Sequence, residues 1–224
     1  MHAVVSCKNV KKVYKQGAIE VIALADADLT VDEGDFVCLS GPSGSGKTTL
    51  LNIIGGLDTP TAGEIIVADN RLHTMSKSQL AEMRLHHIGF VFQAYNLIPV
   101  LTALENVEMV MQMQGVAKHE RAQRARQVLK EVGLEGLENR KPPELSGGQQ
   151  QRVAVARAIV SNPKLVLADE PTANLDSKTA ENLIDLMRHM NTEHGVTFVI
   201  STHDPRVMHH AKRNLSMVDG RIVA

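Results

Sequence analysis

The chain is 224 residues long, 43% hydrophobic and 22% charged, a composition that can bury one core, or one core with an inserted subdomain. With 24 basic and 25 acidic side chains it carries no net field that would gather nucleic acid, so DNA and RNA are not expected partners. No apolar run approaches the roughly 18 residues of a membrane span, and no basic start with an apolar run and cleavage site opens the chain, so the default location is the cytosol.

β-favouring runs at 4–5, 10–14, 21–24 and 29–31, broken by Lys15-Gln16-Gly17 and Asp32-Glu33-Gly34, predict strands over the first part of the chain. Phe36-Val37-Cys38-Leu39 reads as a buried strand running straight into a glycine-rich loop, with Cys38 as a small buried hydrophobe. Cys7 and Cys38 lack any motif spacing, which points to a reducing compartment rather than a disulfide framework. A strand at 64–67 reaches a turn at Ala68-Asp69-Asn70, and Ser76 with Gln79 forms a capping box for a short helix.

From about 94 to 155 the strand signal stops. Thr102 and Glu105 cap a helix with Leu104, Val107 and Met111 on one face, and 120–132 is a basic helix ended by Gly133. Alternation then returns, with a strand at 165–168, a helix at 177–194 closed by Gly195, and a strand at 198–201. Asp204-Pro205 opens a short helix, and Asp219-Gly220 turns a closing hairpin between Met217-Val218 and Ile222-Val223. This order predicts a mostly parallel α/β sheet with an antiparallel edge from the N-terminal strands. It also predicts a helical subdomain at 94–155 inserted into a core made of 1–93 and 156–224.

Gly41-Pro42-Ser43-Gly44-Ser45-Gly46-Lys47-Thr48 fits the G-x-x-x-x-G-K-[ST] phosphate-loop pattern, between a predicted strand and a predicted helix as that pattern requires. The glycines let backbone N–H groups turn inward around phosphate oxygens, and the helix start adds its positive end. Lys47 suits the β- and γ-phosphates and Thr48 a Mg²⁺ ion. Leu165-Val166-Leu167-Ala168-Asp169-Glu170 delivers two carboxylates at a strand end, which a buried strand has no packing use for. Asp169 suits the Mg²⁺ shell, and Glu170 is placed to act as general base on the attacking water. To this point the chain is a P-loop NTPase of any kind, a kinase, a GTPase or a motor.

Glu144-Leu145-Ser146-Gly147-Gly148-Gln149-Gln150-Gln151-Arg152 leads into a helical run at 153–160, so the chain has a second helix start able to hold an anion. Ser-Gly-Gly alone would read as a helix cap. With Leu145 before it, Gln149 after it and a phosphate loop upstream, it resembles the LSGGQ signature of ABC ATPases, and the resemblance covers nearly the whole chain. It implies a P-loop NTPase (RecA-like) core with an N-terminal antiparallel β-subdomain and an inserted helical subdomain, binding ATP and Mg²⁺.

Residue by residue, the resemblance implies that Tyr14 stacks on adenine, although a strand tyrosine can equally pack in its sheet. Gln93 matches the Q-loop glutamine, Asn174-Leu175-Asp176 the D-loop, and His203 the switch histidine. The implied catalytic groups are Glu170, His203, Gln93 and Lys47; the implied metal ligands are Thr48, Gln93 and Asp169. Nucleotide contacts are implied for Tyr14, Gly41, Ser43, Gly44, Ser45, Gly46, Lys47, Thr48, Thr49 and Asp176. Ser146, Gly147, Gly148 and Gln149 complete that set, reaching the nucleotide of a second copy packed head to tail. His2, His73, His119, His189 and His194 read as ordinary histidines, and the pairs His86-His87 and His209-His210 lack the spacing of metal sites.

The segment 51–63, with Gly55-Gly56-Leu57-Asp58, and the run through Glu170-Pro171-Thr172 are similar to one ABC branch, that of lipoprotein-release, macrolide-efflux and cell-division systems. Ala173, where that branch usually has glycine, and Pro42 depart from it without removing a chemical group. The branch implies a permease with a large extracytoplasmic domain and a place on the inner face of the plasma membrane. A cell-division signalling ATPase stays open as an alternative, as does a soluble ABC regulator. The latter usually carries two cassettes, long insertions or zinc sites, and an import ATPase usually carries a C-terminal regulatory domain. Leu97, Ile98, Pro99 and Val100 form an apolar loop that suggests a docking surface for the permease, beside a helix carrying Met109, Met111 and Met113.

Overall fold

A computed structural model describes residues 3–17 and 19–223, so His2 lies outside it. The elements begin with β1 (Ala3–Gln16), β2 (Ile19–Asp32), β3 (Phe36–Ser40), α1 (Lys47–Ile54), β4 (Ala62–Val67) and β5 (Asn70–Arg71). Next come α2 (Lys77–His87), β6 (Ile88–Phe92), α3 (Ala103–Met113), α4 (Lys118–Glu131) and α5 (Gly147–Ile159). The last are β7 (Leu165–Asp169), α6 (Ser177–His194), β8 (Phe198–Ser201), α7 (Pro205–His210), β9 (Arg213–Val218) and β10 (Arg221–Val223).

The four short N-terminal runs are in fact two strands of 14 residues, paired antiparallel from Ala3 opposite Asp32 to Gln16 opposite Ile19. The polar breaks within β1 are absorbed by irregular pairing: register shifts between Cys7 and Val10, where Asn9 takes φ 50°. β4 adds to the other side of β1 and β5 to β4, giving a four-stranded sheet in the order β2-β1-β4-β5. The N-terminal strands therefore form a sheet of their own, the antiparallel β-subdomain that the family resemblance implied, and not the edge on the parallel sheet that the order of elements suggested.

The second sheet has six strands in the order β10-β9-β3-β8-β7-β6, and only β10 runs antiparallel to its neighbour. Strand alternation places its two faces in different cores. Val37, Leu39, Leu165, Leu167 and Val199 pack with α1 and the antiparallel sheet, whereas Phe36, Cys38, Val166, Ala168 and Ile200 pack against α5 and α6. A third core joins α3, α4 and α5 through Val107, Met111, Leu129 and Val153. Among the described residues no helix is long and apolar enough to cross a membrane.

The capping boxes read from sequence are formed, Ser76 with Gln79 on α2 and Thr102 with Glu105 on α3, and Gly195 closes α6 at φ 67°. The apolar loop before α3 differs from expectation. Leu97 packs into the third core, and the backbone of Ile98 is held at both N–H and carbonyl by Asn106, which is fully buried. Only Pro99 and Val100 face outward, Val100 at 71% exposure, while Met111 is core and Met113 is exposed.

Candidate functional site

In the parallel sheet β3, β6, β7 and β8 all end at the same edge, with Phe92 opposite Asp169, Asp169 opposite Ser201 and Leu39 opposite Ser201. Open α/β sheets bind ligands at that carboxyl edge. The loop leaving β3 can be built only with glycine at two points. Gly41 has φ 146° and an added Cβ would lie 2.2 Å from the Met217 carbonyl oxygen; Gly46 has φ 101° and its Cβ would lie 2.5 Å from that of Ala23. α1 then starts at Lys47 with no side chain capping its first turn and no acid there, so its N–H groups are free for an anion. Lys47 is 8% exposed, and its ammonium donates to the carbonyls of Gly41 at 2.8 Å and Pro42 at 3.1 Å.

Thr48 Oγ1 donates to Asp169 Oδ1 at 3.2 Å, and Ser201 Oγ bonds the same oxygen. Glu170 leaves β7 with φ 46°, a left-handed turn held by its N–H to the Ser201 carbonyl at 2.9 Å. That turn carries its carboxylate out of the strand direction and onto His203: Oε1 lies 2.9 Å from Nδ1, while Oε2 is buried without a hydrogen-bond partner. His203 itself is largely exposed. Gln93 follows β6 and is tied to Asn174 in both directions, its Nε2 to Asn174 Oδ1 at 3.4 Å and Asn174 Nδ2 to its carbonyl at 2.9 Å. Beneath the site, burial pushes the Cys38 thiol up to about 12, with the charge of Glu170 adding to the effect.

The loop 41–49, Gln93, Glu170 and His203 line one cavity of about 640 Å³, to which Val21, Ile22 and Ala23 of β2 add an apolar wall that the sequence pattern did not suggest. Ala173 also lines it, and Ser201 was unrecognised as the second partner of Asp169; a lone serine at a strand end carries no distinguishing signal. Tyr14 sits next to this wall, paired with Val21 across the strands, with its hydroxyl on Asp58.

Ser146, Gly147, Gly148, Gln149 and Asp176 do not line that cavity. Ser146 caps α5 in a reciprocal box with Gln149, Oγ accepting from Gln149 N at 3.3 Å and Gln149 Oε1 accepting from Ser146 N at 2.8 Å. Both glycines lie against other elements: a Cβ on Gly147 would meet the Tyr95 hydroxyl at 2.9 Å, and one on Gly148 the Thr179 methyl at 2.3 Å. Asp176 caps α6 through Thr179, whose hydrogen bonds hold its carboxyl below the usual range. Asp176 therefore adjoins the Ser146 loop, away from the phosphate loop.

Among the described residues no group of three or more His, Cys, Asp or Glu side chains could hold a metal ion alone. Mg²⁺ needs no such cage, since it keeps waters and phosphate oxygens and takes one or two protein oxygens. The Asp169 carboxylate and Thr48 hydroxyl, already in contact, are hard oxygen donors of that kind.

Known proteins resemble this chain over most of its length. Residues 24–173 match the family model described as ABC transporter. The uncharacterized ABC transporter ATP-binding protein MJ0796 of Methanocaldococcus jannaschii is 47% identical over 222 residues, covering 97% of this chain and 94% of that protein. The lipoprotein-releasing system ATP-binding protein LolD of Francisella tularensis subsp. holarctica is 43% identical, covering 98% and 95%. Among solved structures, a dimeric post-hydrolysis state of the MJ0796 cassette bound to ADP and Pi superposes with a TM-score of 0.90 at 46% identity, covering 98% of this chain and 97% of that one. A second dimeric structure of MJ0796 gives the same values.

Proposed function

The chain belongs to the ABC transporter family as its ATP-binding and hydrolysing subunit, and from that membership we propose that two copies close head to tail over ATP and drive a membrane permease. The observation that carries this reading is the division of the anion-binding groups. Loop 41–49, Gln93, Glu170 and His203 share one cavity, whereas Ser146, Gly147, Gly148 and Asp176 lie together elsewhere on the chain. A second copy would bring its Ser146 loop to the first copy's phosphates, completing each site. The dimeric structures of the related cassette support it.

Within the closed site, the loop N–H groups and Lys47 hold the phosphates, Tyr14 takes the base, and Glu170 accepts a proton from the attacking water as its oxygen bonds the γ-phosphorus. The bond from that phosphorus to the ADP oxygen breaks, and ADP leaves with phosphate. His203, 2.9 Å from Glu170, orients the carboxylate and meets the γ-phosphate. Thr48 and Asp169 would hold Mg²⁺, with Gln93 beside it, and the ion would neutralise charge on the phosphate oxygens. Hydrolysis removes the contact that holds the two copies together, so the cycle is a ligand-biased switch between closed and open dimers.

Ser146→Arg against Lys47→Ala tests the shared site. In the isolated subunit Ser146→Arg should leave ATP affinity within about twofold, because that loop serves the partner, yet abolish ATP-dependent dimerisation. Lys47→Ala should weaken ATP roughly ten- to hundredfold through loss of a charge-assisted bond. Equal loss of affinity in both variants would rule the arrangement out.

The similarity to LolD supports the lipoprotein-release branch, with a permease bearing a large extracytoplasmic domain, which would hold this chain on the cytoplasmic membrane face. Val100, exposed next to the Gln93 loop, is the docking contact we assign to that partner. Val100→Glu should abolish co-purification with the permease and leave basal ATPase activity intact, since no catalytic group lies there; joint loss of both would remove the docking role. Leu97 is unsuited to this test because it is half-buried against the helical core.

A further inference from the structure

Lys12 and Tyr14 are two residues apart on β1, so both side chains leave the strand on the same face. The Lys12 ammonium is almost out of water. It donates to Asp58 Oδ1 at 2.6 Å and to the Thr59 carbonyl at 2.7 Å, and lies 4.7 Å from the centre of the Tyr14 ring. The Tyr14 hydroxyl donates to the other oxygen of the same carboxylate, Asp58 Oδ2, at 2.7 Å. Burial pushes the Asp58 carboxyl up, but the bonds from Lys12 and Tyr14 outweigh it and hold the group below the usual range. Asp58 follows α1, its N–H donating to the Asn52 carbonyl at 3.2 Å, so the tyrosine is tied to the helix that begins in the phosphate loop.

An ion pair whose carboxylate is still partly exposed adds little stability. A tyrosine hydroxyl at 37% residue exposure could be satisfied by water alone. What the three-way tie does accomplish is to fix the ring at both ends, at its Cβ on the strand and at its hydroxyl on Asp58. The cation covers one ring face, and Val21, the residue paired with Tyr14 across the strands, belongs to the apolar wall of the cavity.

We propose that Lys12 and Asp58 are positioning residues that hold the Tyr14 ring in one orientation as a preset platform for the nucleotide base, Lys12 closing one face. This rests on the reading of Tyr14 as the base-stacking residue. Without the tie, binding must freeze a mobile side chain, which costs roughly two- to tenfold in affinity.

Magnesium tripolyphosphate, which carries the phosphates without a base, separates this effect from damage to the phosphate loop. In calorimetric titrations of the full chain, Asp58→Asn and Lys12→Met should weaken ATP roughly two- to tenfold and leave tripolyphosphate within about twofold of wild type. Tyr14→Phe keeps the ion pair, carries little folding risk, and should show the same base-selective loss. Tyr14→Leu should weaken ATP roughly five- to hundredfold, and adding Asp58→Asn to it should cost nothing further. Wild-type ATP affinity in Asp58→Asn and Tyr14→Phe, or equal weakening of both ligands, overturns the positioning role. An unchanged ATP-to-tripolyphosphate ratio in Tyr14→Leu instead places the failure in the base-stacking reading and takes the platform with it.

Discussion

Replacing Glu170 with glutamine is expected to cut turnover roughly a hundred- to ten-thousandfold while ATP binding survives, the range a general base contributes. The amide keeps the shape of the side chain and its place against His203, but it cannot take a proton from water. Lys47, Thr48 and Asp169, which hold the phosphates and would hold the metal, are untouched. The backbone supports the assignment. Glu170 adopts φ 46°, a conformation costly for a side chain with a Cβ, and strain of this kind collects at functional sites. Its Oε2 is buried and unpartnered, an arrangement that a merely structural carboxylate avoids. Because hydrolysis opens the proposed dimer, the variant should also accumulate as an ATP-bound dimer, read by light scattering with ATP and Mg²⁺. A monomer hydrolysing at the wild-type rate would sink both the base assignment and the dimer.

Gly89→Ala is expected to destabilise the fold by about 3 kcal/mol or more, at the upper end for overpacking. Gly89 lies in β6 where α5 crosses it, and a Cβ there would sit 2.1 Å from the Ala158 carbonyl oxygen and 2.9 Å from its carbonyl carbon. Those atoms are helix backbone, which cannot turn aside as a side chain can. Relief requires α5 or β6 to move, and these two elements carry the Ser146 loop and Gln93. The thermal midpoint should therefore fall by roughly 6–12 °C for a chain of this size. ATP-dependent dimerisation should weaken as well. A midpoint within about 2 °C of wild type would show that the contact is not tight.

Much of the core was legible because buried parallel strands and phosphate chemistry both leave local marks. The strand 198–201 and the helix 177–194 coincide with β8 and α6, since a short apolar run marks the strand and Gly195 marks the end of the helix. β9 was legible only at Met217 and Val218, because Arg213, Asn214 and Ser216 are polar; its partner β3 lies 176 residues earlier in the chain, by the pairing of Val37 with Arg213 and Ser40 with Ser216. The helical subdomain was read as ending at 155, inside the helical run at 153–160; α5, Gly147–Ile159, packs into two cores, so no residue marks the handover.

Short runs of the chain held the chemistry: a glycine loop with Lys47 and Thr48, two strand-end carboxylates, and a second helix start capped by Ser146. Each of these depends on neighbouring residues, whose order is the local structure. Which of these groups meet followed from long-range packing. It made the N-terminal strands a separate sheet, brought Glu170 to His203 and Thr48 to Asp169, and laid Leu97 half-buried against the helical core. It also tied Tyr14 to Lys12 and Asp58. Those contacts join residues 33, 44 and 121 positions apart, and such pairings follow from strand order and packing, which no local pattern encodes.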